Sequence, residues 1–269
     1  MKPIIKWVGG KSQLTQTIKE MLPKNYNRYY EPFLGGGAVL LDLNPKEAYV
    51  NDINPKLIDM YIMIRDQVEQ VIEYLDYLDG MHEKAADPKE FYYDVRMIFN
   101  SFNRVTMKSP EQAARFIYLN KHCFNGLYRV NSKGEFNVPF NGKLTGGSFD
   151  ADHLREVSKQ IHDVMFMLGD FEDCVHTAEA GDFIFADPPY DNSFTDYTSA
   201  GFERDQQERV ADMFKKLSDK GCYCMLTNHD TPLIRELYKD YNIKVVDVRR
   251  SINRNGDNRK GKEVIITNY

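Results

Sequence analysis

Tryptophan occurs once in this chain of 269 residues, at position 7, and no run of about twenty apolar residues occurs at all. The second absence excludes a conventional membrane-spanning helix. The start, Met-Lys-Pro-Ile-Ile-Lys, lacks the apolar core and cleavage site of a secretory signal, so the chain is expected to be cytoplasmic with no membrane partner. Cysteine is scarce too. Cys123, Cys174, Cys222 and Cys224 form no Cys-x-x-Cys spacing, and the six histidines are scattered without ligand spacing. These read as reduced thiols, with no metal expected. Low-complexity linkers and internal repeats are also missing, which points to one core domain carrying an insert.

Excess positive charge is the remaining absence: the formal net charge is −5, which excludes a chain that coats nucleic acid indiscriminately. The basic residues are nevertheless gathered. Between Lys244 and Lys262 stand Lys244, Arg249, Arg250, Arg254, Arg259, Lys260 and Lys262 against Asp247 and Asp257. Between Lys121 and Lys143 stand Lys121, Arg129, Lys133 and Lys143 against Glu135. Either group is a solvated loop or a local phosphate-facing patch.

What is present begins with Lys6-Trp7-Val8-Gly9-Gly10-Lys11, ahead of a helical pattern at Leu14, Ile18, Met21 and Leu22. Glycine lets a backbone approach a ligand, and Lys11 near a helix start suits a carboxylate; Trp7 alone reads equally as core. A strand over 29–33 then leads through Leu34-Gly35-Gly36-Gly37 into a helix over 38–43, and a strand over 48–50 ends at Asn51-Asp52. This βαβ opening has a glycine turn after its first strand and a carboxylate after its second, the arrangement that binds a ribose hydroxyl pair. Leu40 stands where a dinucleotide fingerprint needs its third glycine. A nucleoside cofactor without pyrophosphate therefore fits better, and S-adenosylmethionine has a ribose, an amino-acid carboxylate and no phosphate.

The stretch Phe183 to Tyr190 carries the chemistry. Phe183-Ile184-Phe185-Ala186 reads as a short buried strand, and Asp187-Pro188-Pro189-Tyr190 ends it in a rigid turn, because proline cannot extend a sheet ladder. Open α/β sheets bind ligands at the carboxyl ends of their strands. In isolation the tetrapeptide reads as a capped turn. As a site, it offers a carboxylate and a proline carbonyl to accept the two N–H bonds of an exocyclic amine, and a tyrosine ring to stack on the base. Adenine N6 is a poor nucleophile whose lone pair is delocalised into the ring, so two acceptors favour its tetrahedral form.

Residues 57–79, 88–105 and 111–120 have helical periodicity, read as packing. Around Asn131-Ser132-Lys133-Gly134 a hairpin is predicted, with Phe124, Asn125, Leu127, Arg129 and Phe140 about it. Such residues suit base edges and stacks, or a loop packed over the cofactor. A strand over 164–168 ends at Gly169-Asp170-Phe171, either a simple turn or a clasp for a purine. Helices over 150–162, 203–217 and 231–238 and strands over 222–227, 243–248 and 263–267 follow, the last two strands an antiparallel pair. The fold class expected is α/β: a doubly wound sheet with a mostly helical insert and a hairpin.

Together these blocks resemble the Dam-type DNA adenine-N6 methyltransferases. The resemblance rests on Lys6 to Lys11, Glu31-Pro32-Phe33-Leu34-Gly35-Gly36-Gly37, Asn51-Asp52, Phe124 to Arg129, Gly134 to Phe140, Asp187 to Tyr190, Thr227-Asn228-His229-Asp230 and Val248 to Ile252, in the family's order. It implies a methyltransferase that takes S-adenosylmethionine, releases S-adenosylhomocysteine and methylates the adenine of GATC in double-stranded DNA. It also implies roles. Asp187, Pro188 and Tyr190 are catalytic; Trp7, Lys11, Phe33, Gly35, Gly37, Asp52, Asp170, Phe171 and Asp187 lie on the cofactor. Lys6, Asn125, Leu127, Arg129 and Pro139 read the target or its orphaned partner, and Phe124 fills the vacated stack. After Phe140 the chain has Asn-Gly-Lys-Leu-Thr-Gly-Gly where relatives have Gly-Arg-Tyr, so outer-pair contacts fall to Lys143.

The expected division is a catalytic domain of 1–54 and 145–269 and a target-recognition insert of 55–144. A monomer in solution is expected, with more than one copy on DNA allowed. Relatives acting on cytosine N4, RNA or protein glutamine tend to carry Ser or Asn where Asp187 stands. A repressor without catalysis would have a damaged cofactor motif. Zinc-dependent base deamination lacks its His-x-Glu and Pro-Cys-x-x-Cys.

Overall fold

The computed structural model describes residues 1–102, 108–143, 147–191, 202–249 and 260–269. Seven strands form one sheet: β1 (Tyr29–Glu31), β2 (Ala48–Asp52), β3 (Met165–Leu168), β4 (Phe183–Ala186), β5 (Tyr223–His229), β6 (Asn242–Arg249) and β7 (Lys260–Thr267). Their order is β3-β2-β1-β4-β5-β7-β6, with β7 antiparallel to both neighbours and the first five strands parallel. Among the described residues nine α-helices join them: α1 (Thr15–Glu20), α2 (Ala38–Leu43), α3 (Pro55–Lys84), α4 (Pro88–Ser101), α5 (Pro110–His122), α6 (Ala151–Gln160), α7 (Phe171–Cys174), α8 (Arg204–Asp219) and α9 (Pro232–Leu237).

Strand β4 shows why the central strands read as unbroken apolar runs. Phe183 and Phe185 enter one hydrophobic cluster with β1, β2, α2, α3 and α5, while Ile184 and Ala186 enter a second with α8 and α9. Alternate side chains of a strand face opposite ways, so a sheet covered on both sides needs apolar residues at every position. The fold is a doubly wound α/β sheet. Helix starts were also written locally. Asn54, Asp87, Ser109 and Thr231 each accept backbone N–H bonds through their side chains, and each precedes a proline at the first helical position.

The helical segment is not a detached body. The first cluster runs without a break from Tyr29 and Val50 of the sheet through Tyr61 and Ile64 of α3 to Tyr92, Phe116 and Tyr118 of α4 and α5. The helix expected over 57–79 lies within the longer α3, which deviates from helical geometry at Gln67. Strand β1 stops at Glu31, short of the expected Phe33, because the Pro32 nitrogen has no hydrogen to offer the ladder. The expected hairpin reduces to two antiparallel bridges, Val130 with Phe136 and Cys123 with Phe140. Backbone bonds close its turn, the Asn131 N–H to the Glu135 carbonyl at 2.9 Å and the Asn137 N–H to the Arg129 carbonyl at 3.1 Å, and side chains of α4 hold it in place, Asn100 bonding Phe136 and Arg96 bonding the Val138 carbonyl. The antiparallel pair β6 and β7 is present, while most of the basic loop between them and the polar stretch 195–201 lie outside the described residues. Among the described residues no helix is long and apolar enough to cross a membrane.

Candidate active site

Strands β1 and β4 are neighbours, and the chain leaves them in opposite directions across the sheet. That reversal opens a crevice at their carboxyl ends, the usual ligand position of such sheets. Asp187 stands there, directly after β4. Lys11, only 5% exposed, places its ammonium 2.8 Å from Asp187 Oδ2, while the Thr227 hydroxyl donates to Asp187 Oδ1 at 2.6 Å. Lys11 also bonds the Gly9 carbonyl and sits 4.6 Å from the centre of the Tyr190 ring. Each carboxylate oxygen accepts twice, so these contacts orient Asp187 and leave it further acceptor capacity.

The turn itself is braced from β5 and α8. Gln207 donates to the Pro189 carbonyl at 2.8 Å, Asn228 donates to Gln207 at 3.0 Å, and the Asp191 N–H donates to Asn228 at 3.1 Å. The Tyr190 hydroxyl donates to Glu263 of β7 at 2.8 Å, and its ring meets His229 edge-on at 4.7 Å. Burial first, and then the negative charges of Asp187 and Glu263, push the Tyr190 phenol well above its ordinary value. It is a donor at any working pH.

Beside this turn lies the glycine segment. Gly37 has φ +64°, and a Cβ there would stand 2.6 Å from the Tyr61 hydroxyl; one on Gly36 would stand 2.9 Å from Trp7 Cβ. The glycines therefore admit Trp7 and Tyr61 as well as a turn, and Tyr61 bonds the Gly36 carbonyl at 2.9 Å. Asp52 ends β2 and accepts from the N–H groups of Gly35 and Asn54, each at 2.9 Å. Burial raises its carboxyl, against the opposing pull of those N–H bonds. Phe33 and Phe171 stack with centroids 5.1 Å apart. Asp170 caps α7 through the Glu172 N–H and pairs with Arg209 at 2.9 Å. Burial alone would raise the Asp170 carboxyl, but the Arg209 and Glu172 contacts outweigh it and hold the carboxyl low.

The recognition residues named from the sequence lie near one another through the N-terminal segment. Asn120 of α5 accepts from the Lys6 N–H and donates to the Lys6 and Gly126 carbonyls, and a Cβ on Gly126 would meet the Lys6 side chain at 2.6 Å. Phe124 is 50% exposed, and Asn125 beside it is exposed with φ 57°. The Pro139 carbonyl accepts the Phe124 N–H at 2.8 Å, which ties the two ends of the segment. Arg129 is exposed, its guanidinium held by Asn137 at 2.7 Å; Leu127 is half-buried, Pro139 and Lys143 are exposed. Trp7 joins the two regions, packing on the glycine turn and stacking on Tyr128 at 5.4 Å.

Sequence reading missed several residues here. Thr227 and Asn228 were noticed only as part of a block, with no role, because a strand that enters a core gives no sign of which side chain ends at a site. Asn51 donates to the carbonyls of Pro32 and Gly169, 3.1 Å each, and so clamps the turns after β1 and β3 together. Glu263 lies seventy-three positions from Tyr190, and nothing local to it signals the contact.

Known proteins are similar to this chain over nearly its whole length. Residues 7–252 match the family described as D12 class N6 adenine-specific DNA methyltransferase. A type II methyltransferase of Lactococcus lactis subsp. cremoris, M1.LlaDCHI, is 39% identical, covering all of this chain and 96% of that protein. M.MjaIII of Methanocaldococcus jannaschii is 41% identical over all of this chain and 99% of its own length, and a DNA adenine methylase of Haemophilus influenzae is 36% identical over 98% and 92%. With a match across nearly its whole length and relatives of its own size, the chain belongs to the D12 class of N6 adenine-specific DNA methyltransferases.

Proposed function

We propose that this adenine-specific DNA methyltransferase uses S-adenosylmethionine as methyl donor and acts on an adenine flipped out of duplex DNA at the sequence GATC. The observation that supports this most directly is the anchoring of Asp187, by Lys11 and Thr227, at the carboxyl end of β4 beside the glycine turn of β1. Asp187 and the Pro188 carbonyl accept the two N6–H bonds, and Tyr190 stacks on the base, a contact worth about 1–3 kcal/mol. Flipping costs a few kcal/mol of unstacking. Asp187 acts by positioning and polarising N6.

The neighbouring residues fit the cofactor. A carboxylate at the end of β2, Asp52, suits a ribose; the Phe33 and Phe171 rings and Asp170 suit an adenine; Gly35 and Gly37 form the turn beside it, packed on Trp7 and Tyr61; Lys11 and Trp7 border an amino-acid tail. Bound there, the cofactor supplies an electrophilic methyl group and departs as S-adenosylhomocysteine. The new N6–carbon bond would replace the sulfur–carbon bond, and the proton released from N6 would pass to solvent.

Phe124, Asn125, Leu127, Arg129, Pro139 and Lys143, on an insert of residues 55–144, and Lys6, in the catalytic domain of 1–54 and 145–269, are assigned to the DNA. The chain is read as a cytoplasmic monomer, able to load more than one copy on DNA. The test is to incubate unmethylated plasmid with the protein and S-adenosylmethionine and map modified bases. N6-methyladenine confined to GATC is expected. Methylation at another sequence overturns the specificity, and methyl on cytosine or an unlabelled plasmid overturns the reading as a whole.

A further inference from the structure

The Asp-Pro-Pro-Tyr turn brings Tyr190 to the crevice, but the turn fixes only its backbone. A tyrosine ring on a rigid Cα still swings about two side-chain torsions, and a stacking surface is useful only if its plane is set in advance. Besides the Lys11 ammonium 4.6 Å from the ring centre, contacts from the sheet set it. The hydroxyl, the ring atom farthest from the backbone, donates to Glu263 Oε2 at 2.8 Å, and the ring edge rests on His229 with an interplanar angle of 71°. Glu263 and His229 are cross-strand partners of β7 and β5, so both contacts come from one rung of the ladder.

We infer that Glu263 is a positioning residue for methyl transfer, holding the Tyr190 ring in the plane that stacks on the extruded base. The inference rests on the reading of Tyr190 as that base's stacking partner. A carboxylate suits the task better than a neutral acceptor, because a hydrogen bond to a charged acceptor is shorter and stronger. Burial and the two nearby carboxylates keep the phenol protonated, so the donor is always available. Thr227 extends the arrangement. Its hydroxyl donates to Asp187 from β5, the strand that also carries His229, so the base-stacking ring and the N6 acceptor are both braced by β5.

The test compares Glu263→Ala, Glu263→Gln, Tyr190→Phe, the double variant Glu263→Ala/Tyr190→Phe, and Tyr190→Ala, using GATC duplexes and S-adenosylmethionine. Glu263→Ala is expected to lower kcat roughly tenfold to hundredfold, the scale of one hydrogen bond to a charged group, with little change in KM for either substrate. Glu263→Gln, whose amide oxygen still accepts, restores most of that loss. Tyr190→Phe matches Glu263→Ala, and the double variant is no slower than either, because both remove the same bond. With 2-aminopurine at the target position, Glu263→Ala shows a fluorescence change on binding that differs from the unaltered protein, as the flipped base loses its stacked pose. Full turnover in Glu263→Ala, or losses that multiply in the double variant, overturn the role of Glu263 while leaving Tyr190 intact. Full turnover in Tyr190→Ala overturns the stacking reading and Glu263's role with it.

Discussion

Lys11 Nζ lies 2.8 Å from Asp187 Oδ2, a buried ammonium held by the one carboxylate on which the proposed chemistry depends. The two residues come from the glycine-rich segment before α1 and the turn after β4, and the β1–β4 adjacency is what brings them together. The pair orients Asp187 without a backbone donor. It also ties the catalytic turn to the buried Lys11 ammonium, which is poorly placed to be solvated once its partner is gone.

Removing either partner is therefore expected to cost stability and activity together. Losing Asp187 leaves the buried Lys11 charge uncompensated, at up to about 3 kcal/mol, and losing Lys11 costs less because Asp187 is partly exposed. Asp187→Ala and Lys11→Met should each lower the melting temperature and abolish methyl transfer. The double variant Lys11→Met/Asp187→Ala should be less destabilised than the sum of the two. Simple additivity in denaturant melts would mean that the pair does not couple.

The glycine turn gives a second double-variant test. Gly37→Ala forces alanine into φ +64°, at about 1–2 kcal/mol, and sets its Cβ against the Tyr61 hydroxyl. Tyr61→Phe removes that oxygen at the cost of its bond to the Gly36 carbonyl. The combination should melt above Gly37→Ala alone. If it melts lower, the steric account of Gly37 is wrong.

His82 predicts a pH dependence of stability. It is buried between α3 and α5, its Nδ1 shares a hydrogen bond with the Tyr118 hydroxyl at 2.6 Å, and its ring lies 4.4 Å from that of His122. Burial, and then the charge of His122, lower its value from 6.5, against the opposite pull of Asp79 and Glu83. The unfolded chain thus takes up a proton at a pH where the folded chain does not. Stability from this group is present above pH 6.5 and falls as pH drops below it toward the folded value. Thermal melts between pH 8 and pH 5.5 should fall more steeply for the unaltered protein than for His82→Gln, which keeps a polar partner for Tyr118. Equal slopes would exclude His82 as the cause.

At the recognition segment, Asn137 holds Arg129 at 2.7 Å and presets its guanidinium for a two-point contact. Arg129→Ala should loosen discrimination at one guanine by about 1–3 kcal/mol, read as methylation of GATC against singly substituted sites. Asn137→Ala should show a weaker form of the same defect. An equal loss on every sequence would make Arg129 a phosphate contact.

How much of this was written along the chain depends on the range of each interaction. Phe183 to Tyr190, the glycine run after β1, the carboxylate ending β2 and the cap-plus-proline helix starts are local patterns, dictated by backbone geometry within a few residues, and they sufficed for the fold class and the chemistry. The hairpin turn at Asn131 was a local reading too, closed by Asn131–Glu135 and Asn137–Arg129 backbone bonds, but the bonds from Asn100 and Arg96 of α4 that fix it on the helices come from far away in sequence. The glycines were legible as a turn, but not as the space that Trp7 and Tyr61 occupy. Only the folded sheet decided that Lys11 would meet Asp187, that Asn51 would tie two turns together and that Glu263 would anchor Tyr190. Sequence carries the residue types a reaction needs; which of them come within hydrogen-bond distance is set by strand order and register, and those depend on burying both faces of the sheet at once.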